Sequence, residues 1–405
     1  MGEQSFPDTY VGRAGLPEHW PEPLRPNALA DMDHPTPFLM CDLETVRMRY
    51  RAFTWAMPEI QTHYAVKCNP SPEIITTLAE MGSRFEVASI GELDAIMALG
   101  VRAADVLYSN PVKPTAHIAA AHAAGLWRFA ADGECEIEKI ARLAPGAAVY
   151  LRTHVDDSAS LFPLSRKFGV DTDQAFELML LARDLGLQPY GLTFHVGSQC
   201  TTTRSFRRAI TVMGRLMKRL MQVGITVQMI NVSGGFPARY LDPVPSIEEI
   251  GLSITDSLRQ LLPYEPHLLA AEPGRYLVAE SSVMVSTIIG RETRDGNNWL
   301  YLDVGAYHGL LEPKQTSMEW RYPMWSSRPD HTSAPTIPYT ITGPTCDSTD
   351  TVFFDVALPA TLDVDDRLYI ASTGAYTLSY ATWFNGFPPP TPLFINDDDL
   401  AGDFR

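Results

Sequence analysis

The regular alternation of short apolar stretches with amphipathic segments constrains the fold of this chain more than any other feature. From Asp42 to about residue 272, stretches of strand length alternate with segments whose apolar residues recur at helical spacing. The eight predicted strands cover residues 62–67, 84–88, 105–109, 127–131, 148–153, 190–196, 227–232 and 268–272. Eight strand–helix units in about 230 residues are typical of a closed parallel (β/α)8 barrel of the TIM type. A doubly wound open sheet is the alternative, although no G-x-G-x-x-G motif follows the first strand.

Local signals place the predicted helices between these strands. Pro72 stands at a first-turn position, and Ser89 with Glu92 has the spacing of a capping box. Acidic residues from Asp42 onward begin an earlier helix. Further helices are predicted at about 114–124, 134–143, 173–186, 203–223 and 247–262.

The pattern changes after about residue 277, where strands follow one another between Gly-, Pro- and Asp-rich turns without a long helix. The predicted strands are Leu277 to Ile289, Trp299 to Val304, Thr336 to Thr342, Val352 to Leu358 and Arg367 to Ile370. This pattern predicts an all-β C-terminal domain at 278–405 after a barrel at 36–277, and a short strand at 37–41 could belong to either. Residues 1–35 are Pro-rich and polar, which predicts a loosely draped N-terminal arm, and Pro388 to Arg405 is predicted to be a surface tail.

Charge and cysteine content disfavour several classes of partner. The formal net charge of −16 argues against nucleic acid and anionic membranes and is compatible with a cationic small-molecule substrate. No apolar run is long enough to span a membrane, and the N-terminus lacks the basic start and apolar core of a secretory signal. The five cysteines are scattered without a C-x-x-C pair, which disfavours disulfides and a zinc site. A cytoplasmic protein without a metal site is therefore predicted.

Polar residues concentrate at the predicted carboxyl ends of the barrel strands, where the active sites of such barrels lie. Lys67 ends the first strand and is suited to forming a Schiff base, although a solvated strand-end lysine is the simpler interpretation. Gly234 and Gly235 follow the seventh strand and Arg275 the eighth, which with Ser198 favours a phosphate site. Other strand ends carry Glu86, Arg152, His195 and Glu272. A lysine and a phosphate site without a P-loop indicate pyridoxal 5′-phosphate (PLP) as cofactor.

Six short motifs occur in a fixed order within residues 36 to 390. They are YAVKCN at 64–69, FHVGS at 194–198, SGGFP at 233–237, EPGRY at 272–276, GPTCD at 343–347 and TGAYT at 373–377. Together they resemble the ornithine/diaminopimelate/arginine decarboxylase family, the fold-type III PLP enzymes. Within that family the chain is most similar to the bacterial lysine/ornithine decarboxylases, especially at FNGFP, residues 384–388.

The resemblance implies roles for the residues of the barrel. Lys67 would hold PLP as a Schiff base, Glu272 would pair with the pyridine nitrogen, and His195 would stack on the ring. The phosphate contacts implied are Ser198, Gly234, Gly235, Arg275 and Tyr376. Glu86, Glu92 and Arg152 would lie near the lysine. Without the resemblance, Glu272 could simply pair with Arg275, and His195 could be an ordinary core histidine.

The resemblance also implies that the β domain completes the active site of another subunit, which requires a homodimer. Cys346 would return a proton to Cα, although a small buried hydrophobe is the commonest role of a free cysteine. Asp347 would bind the distal cationic group of the substrate, with Tyr307 and Tyr376 lining the site. Lys167 and Asp350 match positions that bridge subunits in the family.

The function implied is PLP-dependent decarboxylation of a basic L-amino acid through a Schiff base and a quinonoid, with L-ornithine to putrescine first and L-lysine to cadaverine second. Such an enzyme would serve polyamine biosynthesis. The alternatives are decarboxylation of arginine, diaminopimelate or a modified biosynthetic intermediate, an amino-acid racemase, and a regulatory homologue without catalysis. Asp347 disfavours diaminopimelate, Glu272 disfavours the racemase, and the intact lysine and phosphate residues disfavour the regulator.

Three departures from the family pattern bear on these roles. Ser233 stands where the family usually has a third glycine, and Glu86 stands where many relatives carry Asp. Residues 308–325 differ from the substrate segment of the eukaryotic enzymes, so substrate choice is the least constrained part of the prediction.

Overall fold

The computed structural model describes residues 20–30, 32–316, 320–328 and 330–395. The chain forms two compact units. The barrel unit comprises Val46–Ala238 and Pro243–Val278. The β unit comprises the described residues up to Thr45, Arg239–Asp242 and the described residues from Ala279 onward. No helix in these described ranges is long and apolar enough to cross a membrane.

The first elements of the described chain contribute to both units. Helix α1 (Pro26–Leu29) and strand β1 (Phe38–Asp42) lie in the β unit, and helix α2 (Leu43–Ala56) leads into the barrel unit. Asp42 ends β1 and accepts from Glu44 N and Thr45 N at 3.2 Å each, so its carboxylate satisfies the first free N–H groups of α2.

The barrel unit confirms the predicted (β/α)8 fold. Its chain carries ten strands, β2 (Gln61–Ala65), β3 (Arg84–Val87), β4 (Leu107–Tyr108), β5 (Arg128–Ala131), β6 (Ala148–Thr153), β7 (Ser160–Phe162), β8 (Gln188–Phe194), β9 (Ser198–Cys200), β10 (Met229–Asn231) and β11 (Leu268–Ala271). All except β7 and β9 close into one barrel, in the order β2-β3-β4-β5-β6-β8-β10-β11. The remaining two pair with each other in antiparallel fashion. They were missed because three-residue strands carry too little alternation to be read from sequence.

Helices follow the barrel strands in turn. They are α3 (Pro72–Glu80), α4 (Ile90–Ala98), α5 (Thr115–Ala123), α6 (Glu134–Leu143), α7 (Thr172–Asp184), α8 (Thr203–Gln222), α9 (Ile247–Leu261) and α10 (Arg275–Val278). Ser89 caps α4 as predicted, accepting from Glu92 N at 3.2 Å. The return bond differs from a full capping box, because Glu92 accepts from Ala88 N rather than Ser89 N.

Six barrel strands are shorter than predicted, and β4 and β2 are the two that bear on the site. β4 has two residues instead of five, because Ala103–Asp105 forms a 3-10 turn before it. β2 ends at Ala65, before the lysine that was expected to terminate it. The parallel pairing of the barrel therefore stops short of the polar residues that follow these strands.

The β unit confirms the strand-rich C-terminal region. Its strands are β12 (Ser282–Arg294), β13 (Asn297–Leu302), β14 (Met324–Ser326), β15 (Thr336–Thr342), β16 (Thr351–Pro359), β17 (Arg367–Ala371) and β18 (Thr391–Ile395), with a four-residue helix α11 (Glu312–Gln315). The sheet order is β14-β17-β12-β13-β15-β16, and β1 pairs with β12 and β18. β12 begins later than predicted because α10 and a 3-10 turn at Ala279–Ser281 occupy the preceding residues.

Both chain ends differ from prediction. Trp20, Leu24 and Leu29 are buried in a core with residues of β1, β12 and β17, so residues 20–30 are packed rather than loosely draped. Residues 391–395 form β18, parallel to β1, rather than a surface tail. Pro392 is compatible with this strand because, among the strands that the structure describes, β18 pairs with β1 alone. The rest of the predicted arm, residues 1–19, and of the predicted tail, residues 396–405, lie outside the described chain.

Candidate active site

Lys67 lies in the turn that follows β2 rather than in the strand. Val66–Cys68 forms a 3-10 turn. Tyr64 Oη donates to Asn69 O at 3.0 Å, and Asn69 Oδ1 accepts from Ser71 N and Oγ at 3.2 and 2.7 Å. Asparagine followed by proline favours such a turn, which leaves the lysine side chain at the mouth of the barrel.

Carboxylates surround the lysine ammonium. Lys67 Nζ donates to Glu86 Oε2 at 2.9 Å, with Lys67 43% exposed and Glu86 1% exposed. Burial raises the pKa of Glu86 to about 7, against the attraction of the Lys67 charge. Burial also opposes the charge on Lys67, but the charges of Glu86 and Glu272 outweigh it and raise the pKa of Lys67. Glu86 Oε1 is buried without a hydrogen-bond partner among the described residues, so one acceptor is left over.

Glu272 follows β11 and is held by three donors. Ser109 Oγ and Asn231 Nδ2 donate to Oε1 at 2.5 and 2.7 Å. Ser233 Oγ donates to Oε2 at 2.9 Å. The residue is only 6% exposed, so these bonds take the place of water around its carboxylate.

A buried tyrosine extends this network. Tyr150 Oη lies 2.7 Å from Ser109 Oγ. Since the single hydroxyl proton of Ser109 is donated to Glu272, Tyr150 is the donor to Ser109. Burial and the charge of Glu272 hold the pKa of Tyr150 well above its usual value, so the phenol keeps its proton.

His195 is a neutral imidazole with a defined tautomer. Gly197 N donates to His195 Nδ1 at 3.0 Å. Burial and the charges of Arg152 and Lys67 hold the pKa of His195 well below its usual value. Because Nδ1 accepts a hydrogen bond, the single ring proton lies on Nε2.

The loop after β10 requires its glycines. Gly235 has a φ of +100°, and a Cβ there would collide with Gly197 O. A Cβ on Gly234 would lie 2.9 Å from Glu272 O and 3.3 Å from His195 Nε2. The bare backbone therefore approaches the Glu272 carbonyl and the His195 ring closely, as a binding loop for a phosphate-bearing ring requires.

Two arginines supply positive charge at the strand ends. Arg275, at the start of α10, donates to Ser198 Oγ through Nε and Nη2 at 3.3 and 3.2 Å and lies over the Phe162 ring. Arg152, in β6, lies over the Phe168 ring, and burial lowers its pKa although the charge of Glu272 opposes the change. Arg275 and Ser198 are thus brought together, as expected for a phosphate site.

The β unit brings together a second group of predicted residues. Tyr307 Oη donates to Asp347 Oδ2 at 2.8 Å, and Thr349 N donates to Oδ1 at 2.8 Å. Asn385 Nδ2 donates to Cys346 Sγ at 3.2 Å, and this cysteine is exposed. The thiol and the carboxylate of neighbouring residues are therefore both presented at the surface of this unit.

The remaining predicted residues have mixed outcomes. Tyr376 has a φ of +54° and stacks on Tyr380 in the β unit. Asp350 is fully buried, and its carboxylate accepts from Ala306 N and from Thr345 N and Oγ1. Within the single chain its carboxylate is occupied by its own β unit, and a role of Asp350 at a subunit contact stays a prediction. Lys167 is exposed, and its role at a subunit contact stays a prediction.

Sequence reasoning missed three members of the Glu272 network. Ser109, Tyr150 and Asn231 all lie in or just after barrel strands. Their position in or beside the barrel strands was the available signal. Serine and asparagine are common in turns and tyrosine is common in strands, however, so their residue types alone do not mark a site.

The residues of the barrel unit fit PLP. The exposed amine of Lys67 fits the aldehyde of PLP, and Glu86 nearby keeps a spare buried acceptor. The glycine loop, whose space a Cβ would fill, fits the ring, and the Arg275–Ser198 pair fits the phosphate. This set of residues indicates a barrel enzyme that binds PLP.

Comparison with known proteins gives the same class. The family model for the pyridoxal binding domain of pyridoxal-dependent decarboxylases matches residues 43–279. Lysine/ornithine decarboxylase of Selenomonas ruminantium is 33% identical over 376 residues, covering 91% of this chain and 92% of that protein. Ornithine decarboxylase of Caenorhabditis elegans is 32% identical over 383 residues, covering 91% and 89%.

A solved structure agrees. The lysine/ornithine decarboxylase of Vibrio vulnificus, complexed with cadaverine, superimposes with a TM-score of 0.82 at 31% identity, covering 92% of this chain and 97% of that one. The chain belongs to the fold-type III pyridoxal-dependent decarboxylase family. It is an enzyme with PLP as its cofactor, which confirms the resemblance seen in the sequence.

Proposed function

We propose that this enzyme removes the α-carboxylate of a basic L-amino acid, with L-ornithine as the first candidate and L-lysine as the second. The observation that carries the proposal is the carboxylate of Asp347 beside the thiol of Cys346. Hydrogen bonds from Thr349 and Tyr307 lower the pKa of Asp347, so it stays anionic and can bind a distal ammonium. The similar enzymes named above for lysine and ornithine support this substrate class.

Each barrel residue has a definite task in this proposal. Bound PLP supplies the electron sink that accepts the electron pair left when the bond from Cα to the carboxylate breaks. Lys67 would hold the cofactor covalently. Glu272 would pair with the ring nitrogen and keep it protonated, and neutral His195 would contact the ring. Glu86 and Arg152 would lie near the lysine. The phosphate would be held by Ser198, Gly234, Gly235, Arg275 and Tyr376.

Cys346 completes the reaction by proton delivery. The departing carboxylate leaves as CO2 and carries no proton, so Cα must gain one. The Cys346 thiol is the donor, and the hydrogen bond from Asn385 Nδ2 orients its sulfur. Tyr307 holds Asp347 in place and lines the substrate site with Tyr376.

The proposal includes a homodimer in which the β unit of one copy serves the barrel of the other. It is supported by the exposure of Cys346 in the single chain and by the membership of the family. A cytoplasmic location and a role in polyamine biosynthesis complete the proposal.

A substrate panel tests the proposal. The PLP-loaded enzyme is incubated with L-ornithine, L-lysine, L-arginine and diaminopimelate, and amine and CO2 are measured. Ornithine or lysine should give equal amounts of both, and Asp347→Asn should raise KM for the preferred substrate. Thr349→Ser keeps the backbone donor to Asp347 and serves as the matched control. No release from any of the four would reject the basic-substrate proposal and favour a modified amino acid instead.

A further inference from the structure

Ser233 adopts a backbone conformation that serine avoids. It has a φ of +56° in the loop after β10, and it is 5% exposed. The left-handed region brings Cβ close to the following carbonyl, which is why glycine is the usual residue there. The chain therefore retains a side chain at a position where the backbone favours none.

Neighbouring residues hold this conformation in place. Ser233 N donates to Asn231 Oδ1 at 2.8 Å, and Glu272 N donates to Ser233 O at 2.7 Å. Asn231 Nδ2 also donates to Glu272 Oε1. Serine, asparagine and glutamate thus form a closed ring of hydrogen bonds that uses only the backbone of residue 233, so glycine could supply it. The hydroxyl of Ser233 makes a further bond, to Glu272 Oε2, that glycine could not supply.

The hydroxyl contacts a particular oxygen of Glu272. Oε1 has two donors, Ser109 Oγ and Asn231 Nδ2, whereas Ser233 Oγ is the donor to Oε2. A carboxylate with both donors on one oxygen can still tilt about its last bond. A donor on the second oxygen removes that freedom and stabilises the negative charge.

We propose that Ser233 is a positioning residue whose hydroxyl holds Glu272 Oε2 in place, so that the carboxylate faces the ring nitrogen of PLP and favours the protonated form of that nitrogen. The inference rests on the proposed pairing of Glu272 with the ring. The strained backbone at residue 233 is retained, on this proposal, because the serine side chain brings a hydrogen-bond donor to a buried carboxylate.

The ring nitrogen itself provides the readout. Holoenzyme is prepared with PLP labelled with 15N in the ring, and its NMR shift reports whether the nitrogen carries a proton. Wild type should show a protonated nitrogen. In Ser233→Gly the shift should move toward the unprotonated value, and the holoenzyme should lose cofactor about tenfold faster on dilution, as loss of a hydrogen bond to a charged group predicts.

Two comparisons separate this role from a structural one. Ser372 is also buried, has a φ of +58° and donates to a backbone carbonyl, so Ser372→Gly makes the same change away from Glu272 and should leave the nitrogen shift unaltered. In a Glu272→Gln background, Ser233→Gly should cause no further change in shift, because the charge it acts through is gone.

The outcomes distinguish the two proposals. An unchanged ring-nitrogen shift in Ser233→Gly, with wild type protonated, would overturn the role of Ser233 alone. A wild-type enzyme whose bound PLP has an unprotonated nitrogen would overturn the pairing with Glu272 and the role of Ser233 with it.

Discussion

The buried carboxyl group of Glu86, which pairs with the exposed Lys67 amine, predicts an unusual pH dependence of stability in the cofactor-free protein. Burial raises the pKa of Glu86 from 4.5 to about 7. Because the folded-state pKa exceeds the unfolded value, its stabilising contribution is fully present below about pH 4.5 and is lost as the pH rises through about 7. One pKa unit corresponds to about 1.4 kcal/mol, so the full contribution is about 3 kcal/mol.

Glu86→Gln removes this titration while it preserves an acceptor for Lys67. The difference between the unfolding free energies of the variant and wild type should therefore change by about 3 kcal/mol between pH 4.5 and 8, with the variant gaining at the higher pH. In this difference between variant and wild type, the contributions of all titrating groups that the substitution does not affect cancel.

The assay is urea denaturation of cofactor-free protein, followed by circular dichroism at fixed protein concentration and several pH values. Glu138→Gln, on the exposed face of α6, is the matched control and should show a difference that does not vary with pH. A pH-independent difference for Glu86→Gln as well would refute the conclusion that burial, rather than the lysine charge, dominates this carboxyl group.

Two further experiments test the phosphate loop and the shared site. Gly235→Ala should cost roughly 3 kcal/mol of stability and abolish PLP binding, because its Cβ meets Gly197 O at a φ of +100°. Gly224→Ala is the control, because Gly224 has a φ of +77° with open space around it; this variant should lose about 1 kcal/mol of stability and keep PLP. Thermal unfolding measures the stability and cofactor absorbance measures the bound PLP. Equal losses of stability and PLP in the two variants would contradict the steric argument. Separately inactive Lys67→Ala and Cys346→Ala proteins, allowed to exchange subunits, should recover about a quarter of wild-type decarboxylase activity, whereas no recovery would contradict a site shared between copies.

The barrel could be predicted from the sequence because each strand–helix unit carries its own local periodicity. The ends of the chain could not. β18 pairs with β1, which lies near the opposite end of the chain. The proline-rich composition around residue 392 does not indicate a strand, because this strand depends on a pairing that is distant in sequence. Trp20 likewise gains its burial from residues of β12 and β17 that are distant in sequence.

The candidate site shows the same division. Lys67, Glu272 and Arg275 were found because their motifs are local. Ser109, Tyr150 and Asn231 were not, since their importance comes from reaching one carboxylate across the barrel. The burial that raises the pKa of Glu86 is also a property of the folded barrel alone.

The most direct test of the central claim is to locate the lysine that holds PLP. The holoenzyme is reduced with borohydride, digested, and its peptides are mapped by mass spectrometry. We expect the pyridoxyl group to be fixed on Lys67 and to be absent from the Lys67→Ala protein. A pyridoxyl group on another lysine, such as Lys113, which is buried against Glu136, or on no lysine at all, would contradict it.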